Sequence, residues 1–109
     1  MMLGIDTQMI ADANGASCYG ENATISGVCI DSRQIVAGDL FVALRGSRAD
    51  GYQFLSAVAA AGAAAAMVEQ RNPELKLTQI VVADTEDGLG KTAQLNRQLF
   101  SGAVVAITG

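Results

Sequence analysis

The sequence contains no histidine, which removes the usual general base near neutral pH, the Ser/His/Asp triad and the commonest zinc ligand together. Triad hydrolysis or zinc chemistry built from this chain alone is therefore not expected. Cysteine is nearly as scarce, with only Cys18 and Cys29. They could pair in an oxidising compartment. The opening Met1-Met2-Leu3-Gly4-Ile5-Asp6, however, has no basic region ahead of an apolar core, so no secretion signal is read and the two thiols are expected as small buried side chains. Basic residues are few as well, seven against eleven acidic ones, for a net charge of −4. They are scattered along the chain, so the footprint of sequence-independent nucleic-acid binding is missing, although a few arginines suffice to meet one small anion. The longest uncharged, mostly apolar stretch, Gln53 to Val68, is dominated by alanine and falls short of the ~20 residues that a membrane span requires. A soluble cytoplasmic protein is expected.

What is present is enough to build a core. Half of the 109 residues are apolar, which suits one small domain without staples. Asp6 or Thr7 can cap a short helix to about Asn14, with Ile5, Met9, Ile10 and Ala13 on its apolar side and Gly15 as its stop. Ala16 to Tyr19 reads as a short strand. The β-branched residues from Thr24 to Ile30 favour another, ending at Asp31-Ser32-Arg33. After a polar turn through Gly38-Asp39, the run Leu40-Phe41-Val42-Ala43-Leu44 has the pattern of a strand buried on both faces. A loop follows, and Tyr52 to Ala66 recurs at helical spacing. Gly62 leaves two readings: one helix with tight packing, or a helix ending there and a strand from Ala64 to Glu69. Pro73 breaks the next stretch, Gln79 to Ala83 reads as a buried strand, and Thr85 caps a helix with Glu86 and Asp87 in its first turn. Ala103 to Ile107 is a last apolar strand. Alternating strands and helices imply an α/β domain, a small mixed sheet flanked by helices, over residues 1–102. Residues 103–109 form a protruding strand beyond it.

Two places resemble the start of a phosphate loop. The strand ending at Asp84 runs toward Gly88-Leu89-Gly90-Lys91-Thr92, but a G-x-x-x-x-G-K-T loop would need glycine at Thr85, because its backbone amides must wrap the phosphates closely. Carboxylates at Asp84, Glu86 and Asp87 add repulsion, so a capped helix start is the expected state. The second place is Thr108-Gly109, a small residue and a glycine directly after a buried strand. The lysine and helix start that would complete such a loop are not in this sequence.

Asp31-Ser32-Arg33, Gly38-Asp39-Leu40-Phe41-Val42-Ala43-Leu44, Gly46 and Ala49-Asp50-Gly51 follow one another at a spacing that resembles the N-terminal domains of the Mur ligases. Those peptidoglycan-building enzymes carry D-[ST]-R, G-D-L-F-V-A, G and D-G in that order. The resemblance extends through the alanine-rich helix and Asp84-Thr85 to Val104-Val105-Ala106-Ile107-Thr108-Gly109, which in that family leads into the ATP loop. It implies a MurE/MurF-type domain fold and a role in anchoring the UDP part of a UDP-N-acetylmuramoyl-peptide. Two features favour the branch that adds D-Ala-D-Ala to the tripeptide: the D-T lead into a helix and the short distance from it to Thr108-Gly109. Arg48-Ala49-Asp50-Gly51 is closer to the Q-A-D-G of the branch that adds the third amino acid, and Tyr52 stands where the family often has histidine or arginine.

By resemblance, Ile30, Ser32, Arg33, Gly46, Ser47, Arg48 and Ala49 fall at the family's UDP-contacting positions. Hydroxyls, backbone amides and an arginine suit uracil and phosphate oxygens. The residues themselves leave other readings open: Ser32 as a turn former, Arg33 as a brace to Asp31 or Asp39, Arg48 as a solvated loop charge. The resemblance places ATP, magnesium and D-Ala-D-Ala in later domains, where the substrate carboxylate is phosphorylated and the acyl phosphate is attacked by the dipeptide amine. This chain alone is expected to bind neither ATP nor magnesium, to hold no catalytic residue and to have no ligase activity. A stand-alone module for a nucleotide or a partner protein, or a small NTPase using Gly90-Lys91-Thr92, are the rival readings.

Overall fold

The computed structural model describes residues 5–44 and 54–100, with side chains through Arg97. In chain order the elements are β1 (Ile5–Asp6), α1 (Thr7–Asn14), β2 (Ser17–Tyr19), β3 (Thr24–Ile25), β4 (Gly27–Cys29), a 3-10 turn (Ser32–Gln34), β5 (Asp39–Val42), α2 (Leu55–Ala60), β6 (Ala65–Val68), β7 (Thr78–Val81) and α3 (Thr85–Phe100). β1 and β3 form a two-stranded antiparallel ribbon, with Ile5 opposite Ile25. The other five strands make one sheet in the order β2-β7-β6-β5-β4. Only β2 is antiparallel to its neighbour, so the sheet is mixed, as expected.

Strand alternation divides the interior into two layers. Leu40, Val42, Ala65, Met67 and Ile80 join Ile5, Ile10, Ala11 and Ile25 in the layer that α1 and α3 cover. Phe41, Ala43, Ala66 and Val68 join Leu55 and Val58 of α2 on the other face. The connections between β4, β5, β6 and β7 send Ile35, α2, Leu75 and Leu77 onto this second face. The carboxyl ends of these four parallel strands therefore point to one edge of the sheet.

Local chemistry explains the element boundaries. Asp6 is extended, its carboxylate accepts the Met9 N–H at 2.9 Å, and Gly15 closes α1 in the left-handed conformation at φ 60. Replacing Asp6 with alanine is expected to cost about 1 kcal/mol in chemical unfolding at neutral pH. Hydrogen bonds from the Met9 amide and then Asn22 hold the Asp6 carboxyl below its ordinary pKa. A lowered folded-state pKa stabilises above the unfolded value and the contribution disappears as pH falls through the lowered one. The gap between wild type and Asp6→Ala should accordingly close in acid; a gap unchanged there would rule out the ionised cap.

The expectations for Thr24 to Ile30 and for Thr85 need correction, and the readings left open at Gly62 and at the cysteines are decided. The stretch Thr24 to Ile30 is not one strand: Ile25 pairs with Ile5, the Ser26 N–H turns to the Gly38 carbonyl at 3.0 Å, and Gly27–Cys29 then pairs with β5. Of the two readings at Gly62, the helix ends and a strand follows, with Gly62 at φ 101, a conformation that glycine adopts freely. Thr85 is the first residue of α3 and not its cap. Asp84 fills that role, its Oδ1 accepting from the Glu86 and Asp87 amides at 2.9 and 3.3 Å. Cys18 and Cys29 are free and half-buried, on the two opposite edge strands of the sheet. Four strand spacings of ~4.8 Å separate those edges, far beyond the reach of a disulfide. The strand expected at Ala103 to Ile107 lies outside the described residues.

Candidate functional site

Open parallel sheets present ligand-binding loops at the carboxyl ends of their strands, because the connections converge there. β4 leads into Ile30-Asp31-Ser32-Arg33. Asp31 is extended, and its side chain caps the 3-10 turn by accepting the Arg33 N–H at 2.9 Å. The same carboxylate takes the Arg33 guanidinium in a fork, Nε to Oδ1 at 3.1 Å and Nη2 to Oδ2 at 3.2 Å. That contact holds the Asp31 carboxyl below, and the guanidinium above, their ordinary pKa values. Arg33 is thus the brace of its own turn. Asp39, the other partner considered for it, instead accepts the Val36 N–H at 3.0 Å.

Below the turn, the Cys29 thiol donates to the Asp31 carbonyl at 3.1 Å, and the Gln34 N–H reaches the same oxygen at 3.0 Å. Ile30 is 54% exposed, and Ser32 is half-buried two residues on. The structure therefore gathers Ile30, Ser32 and Arg33 on one turn. Gly46, Ser47, Arg48 and Ala49, and the pair Thr108 and Gly109, lie outside the described residues.

Across the same edge, the ends of β5, β6 and β7 are tied together by Thr85. Its hydroxyl lies 3.0 Å from the Ala43 carbonyl and 3.3 Å from Glu69 Oε2, and its N–H donates to that carboxylate at 2.9 Å. Glu69, Asp84, Thr85 and Glu86 line a polar cleft of about 220 Å³. Because Glu69 and Asp84 already satisfy the amides of Thr85 to Gly88, this helix start offers an anion carboxylates instead of free N–H groups.

The phosphate-loop reading of Gly88 to Thr92 is contradicted. All five residues are helical. A Cβ at Gly88 would sit 2.6 Å from Met67 Sδ, so this glycine serves close packing of α3 on the sheet. Thr92 returns its hydroxyl to the Gly88 carbonyl at 2.8 Å, and Lys91 pairs with Asp87 at 3.1 Å. A helix cannot wrap its amides around a phosphate in mid-course. Among the described residues no cluster of side chains is suited to hold a metal ion, and no helix there is long and apolar enough to cross a membrane.

The model of the "Mur ligase family, catalytic domain" matches residues 24–97. The chain belongs to the Mur ligase family. Among its relatives, the UDP-N-acetylmuramoyl-tripeptide--D-alanyl-D-alanine ligase of Haemophilus influenzae is 34% identical over 109 residues, covering 99% of this chain and 24% of that protein. The UDP-N-acetylmuramoyl-L-alanyl-D-glutamate--2,6-diaminopimelate ligase of Bacteroides fragilis is 43% identical over 75 residues, covering 67% of this chain and 16% of that protein. A crystal structure of MurF from Acinetobacter baumannii superposes with a TM-score of 0.72 at 32% identity, covering 84% of this chain and 21% of that one. Thermotoga maritima MurF in complex with ADP gives a TM-score of 0.61 at 29% identity over 67% of this chain and 17% of that one. The chain thus spans about a quarter of the length of the Mur ligase it matches end to end.

Two features of this edge were not legible as part of a site. One is the Thr85 tie, whose only sequence signal is a threonine after an aspartate. The other is the Cys29 thiol beneath the turn, which carries no signal.

Proposed function

We propose that this chain is the substrate-anchoring domain of an ATP-dependent ligase that joins D-Ala-D-Ala to UDP-N-acetylmuramoyl-tripeptide in peptidoglycan synthesis in the cytoplasm. The observation that carries this reading is the similarity to a UDP-N-acetylmuramoyl-tripeptide--D-alanyl-D-alanine ligase along 99% of the chain. The similarity to the diaminopimelate ligase is higher in identity but covers 67%. That higher local identity favours, as a second reading, the branch that adds the third amino acid.

In the first reading residues 1–102 are the anchor, and residues 103–109 open the ATP-binding domain, with Thr108 and Gly109 beginning its phosphate loop. Ile30 gives the uracil an apolar contact and Ser32 a hydroxyl. The amides of Gly46 to Ala49 and the Arg48 guanidinium meet the uridine and diphosphate oxygens. Arg33 acts through Asp31. ATP and magnesium supply activation of the substrate carboxylate in the later domains. The role of this domain is remote binding energy: fixing the nucleotide end orients the peptide end for reaction.

Titrating the isotope-labelled chain with UDP and separately with ATP tests the reading. Amide shifts at residues 30–34 and 46–49 with UDP, and none there or at 88–92 with ATP, are the expected result. No response to UDP at millimolar concentration would sink the anchor, and an ATP response at 88–92 would revive the NTPase. Ligation assays on the full gene product, with tripeptide plus D-Ala-D-Ala against dipeptide plus a diamino acid, separate the two branches.

A further inference from the structure

We propose that Asp31 is a positioning residue of the nucleotide anchor, one that fixes the Ile30–Ser32 surface for the ligand without touching it. The proposal rests on the anchoring function above and adds to it a residue with a distinct role. The carboxylate and the carbonyl of Asp31 are both committed to its own turn and the end of β4. Its carboxylate receives the Arg33 N–H and the guanidinium fork, and its carbonyl receives the Cys29 thiol and the Gln34 N–H. The residues on either side face outward, Ile30 more than half exposed and Ser32 half-buried.

A three-residue 3-10 turn has few hydrogen bonds of its own and depends on its cap. Without the Asp31 carboxylate, the Arg33 N–H loses its acceptor and the guanidinium its anchor, leaving Ser32 to sample several orientations. Charge supports the same division of labour. A bare carboxylate within the anchor would repel an anionic nucleotide, whereas the fork with Arg33 makes the pair locally neutral. Arg33, 87% exposed in its side chain, is held toward Asp31 and so serves the turn instead of the phosphates.

The test uses the full chain and UDP as the probe, with dissociation constants from calorimetry and thermal melting measured in parallel. Asp31→Ala should weaken UDP binding about tenfold, the scale on which lost preorganisation acts, and lower the melting temperature by no more than the few degrees that loss of one cap causes, leaving the chain folded at the temperature of the binding assay. Asp31→Asn retains an oxygen for the Arg33 N–H, since asparagine and aspartate cap comparably, but loses the charged fork, so its affinity should fall between those of wild type and Asp31→Ala. Asp31→Ala binding as tightly as wild type overturns the proposal while leaving the anchor reading intact. Tighter binding by Asp31→Asn also overturns it, because Arg33 would then be a phosphate ligand restrained by Asp31. A lowered melting temperature that accounts for the affinity loss makes Asp31 merely structural and overturns it as well. If wild-type chain itself ignores UDP, the anchor reading fails, and this proposal with it.

Discussion

Truncating Phe41 to alanine is expected to remove about 3–5 kcal/mol of folding stability, at the upper end of what a buried aromatic side chain contributes. Phe41 is 1% exposed and its fully buried neighbours in this layer are Ala43, Ala63, Ala66, Leu55, Val58 and Val68, with Ile35, Leu75, Leu77 and Val81 partly buried against them. Alanines have no side chain to swing into a void, so the gap should persist instead of closing. α2 spans only Leu55–Ala60 and contributes Leu55 and Val58 to this layer as its buried residues. Phe41 also stands opposite Cys29 on β4 and Ala66 on β6, so its loss loosens the strand that carries the Ile30–Arg33 turn. A domain of this size has about 5–15 kcal/mol in total. Each kcal/mol shifts the midpoint by about 4–8 °C, so thermal melting followed by circular dichroism should show a fall of tens of degrees. A loss below about 1 kcal/mol would mean that the alanine-rich layer collapses over the cavity.

How far the sequence disclosed this arrangement depends on whether the controlling contact is local. α1 was legible because Asp6 and Gly15 act within one turn of the helix. β5 was legible because Leu40, Phe41 and Val42 are buried on alternate faces, which a continuous apolar run announces. The break at Ser26 was not, since it arises from two different partners, β1 for Ile25 and β5 for Gly27 to Cys29, at positions remote in sequence. The cap of α3 was misread for a related reason. Thr85 is a good cap by type, yet its hydroxyl is directed to Ala43, 42 residues earlier. Gln79 shows the converse case: a polar residue in a buried strand, 1% exposed, whose amide bonds to both the N–H and the carbonyl of Asn72 and to the Leu77 carbonyl. Of the site, the turn at Ser32 was legible from Asp31-Ser32-Arg33. Its brace was foreseen only as one of two pairings for Arg33, and the hydrogen bonds settle it as Asp31.

Thr85→Val is expected to cost about 1–3 kcal/mol, the cost of leaving a buried polar group without its partner. Valine matches threonine in shape, so the change removes the hydroxyl and little else. The Thr85 N–H keeps Glu69, but the Ala43 carbonyl loses its donor at a residue that is 4% exposed. Thr85→Ser, by contrast, keeps the hydroxyl and removes a methyl group, a loss of about 0.8 kcal/mol per buried carbon. Valine should therefore be the more damaging of the two although it is the closer in volume. Equilibrium unfolding of both variants decides the matter, and serine as costly as valine would show that packing matters here and the hydrogen bond does not. Amide exchange supplies a local check. The tie joins the end of β5 to the start of α3, so the Ala43 and Gly88 amides, which bond to Met67 and Asp84, should exchange faster in the valine variant. The Arg33 and Gln34 amides, held within the turn by Asp31, should not. That contrast follows from the geometry of the carboxyl edge, where the Asp31 turn after β4 and the acidic tie across β5, β6 and β7 are braced by separate hydrogen bonds and can be loosened one at a time.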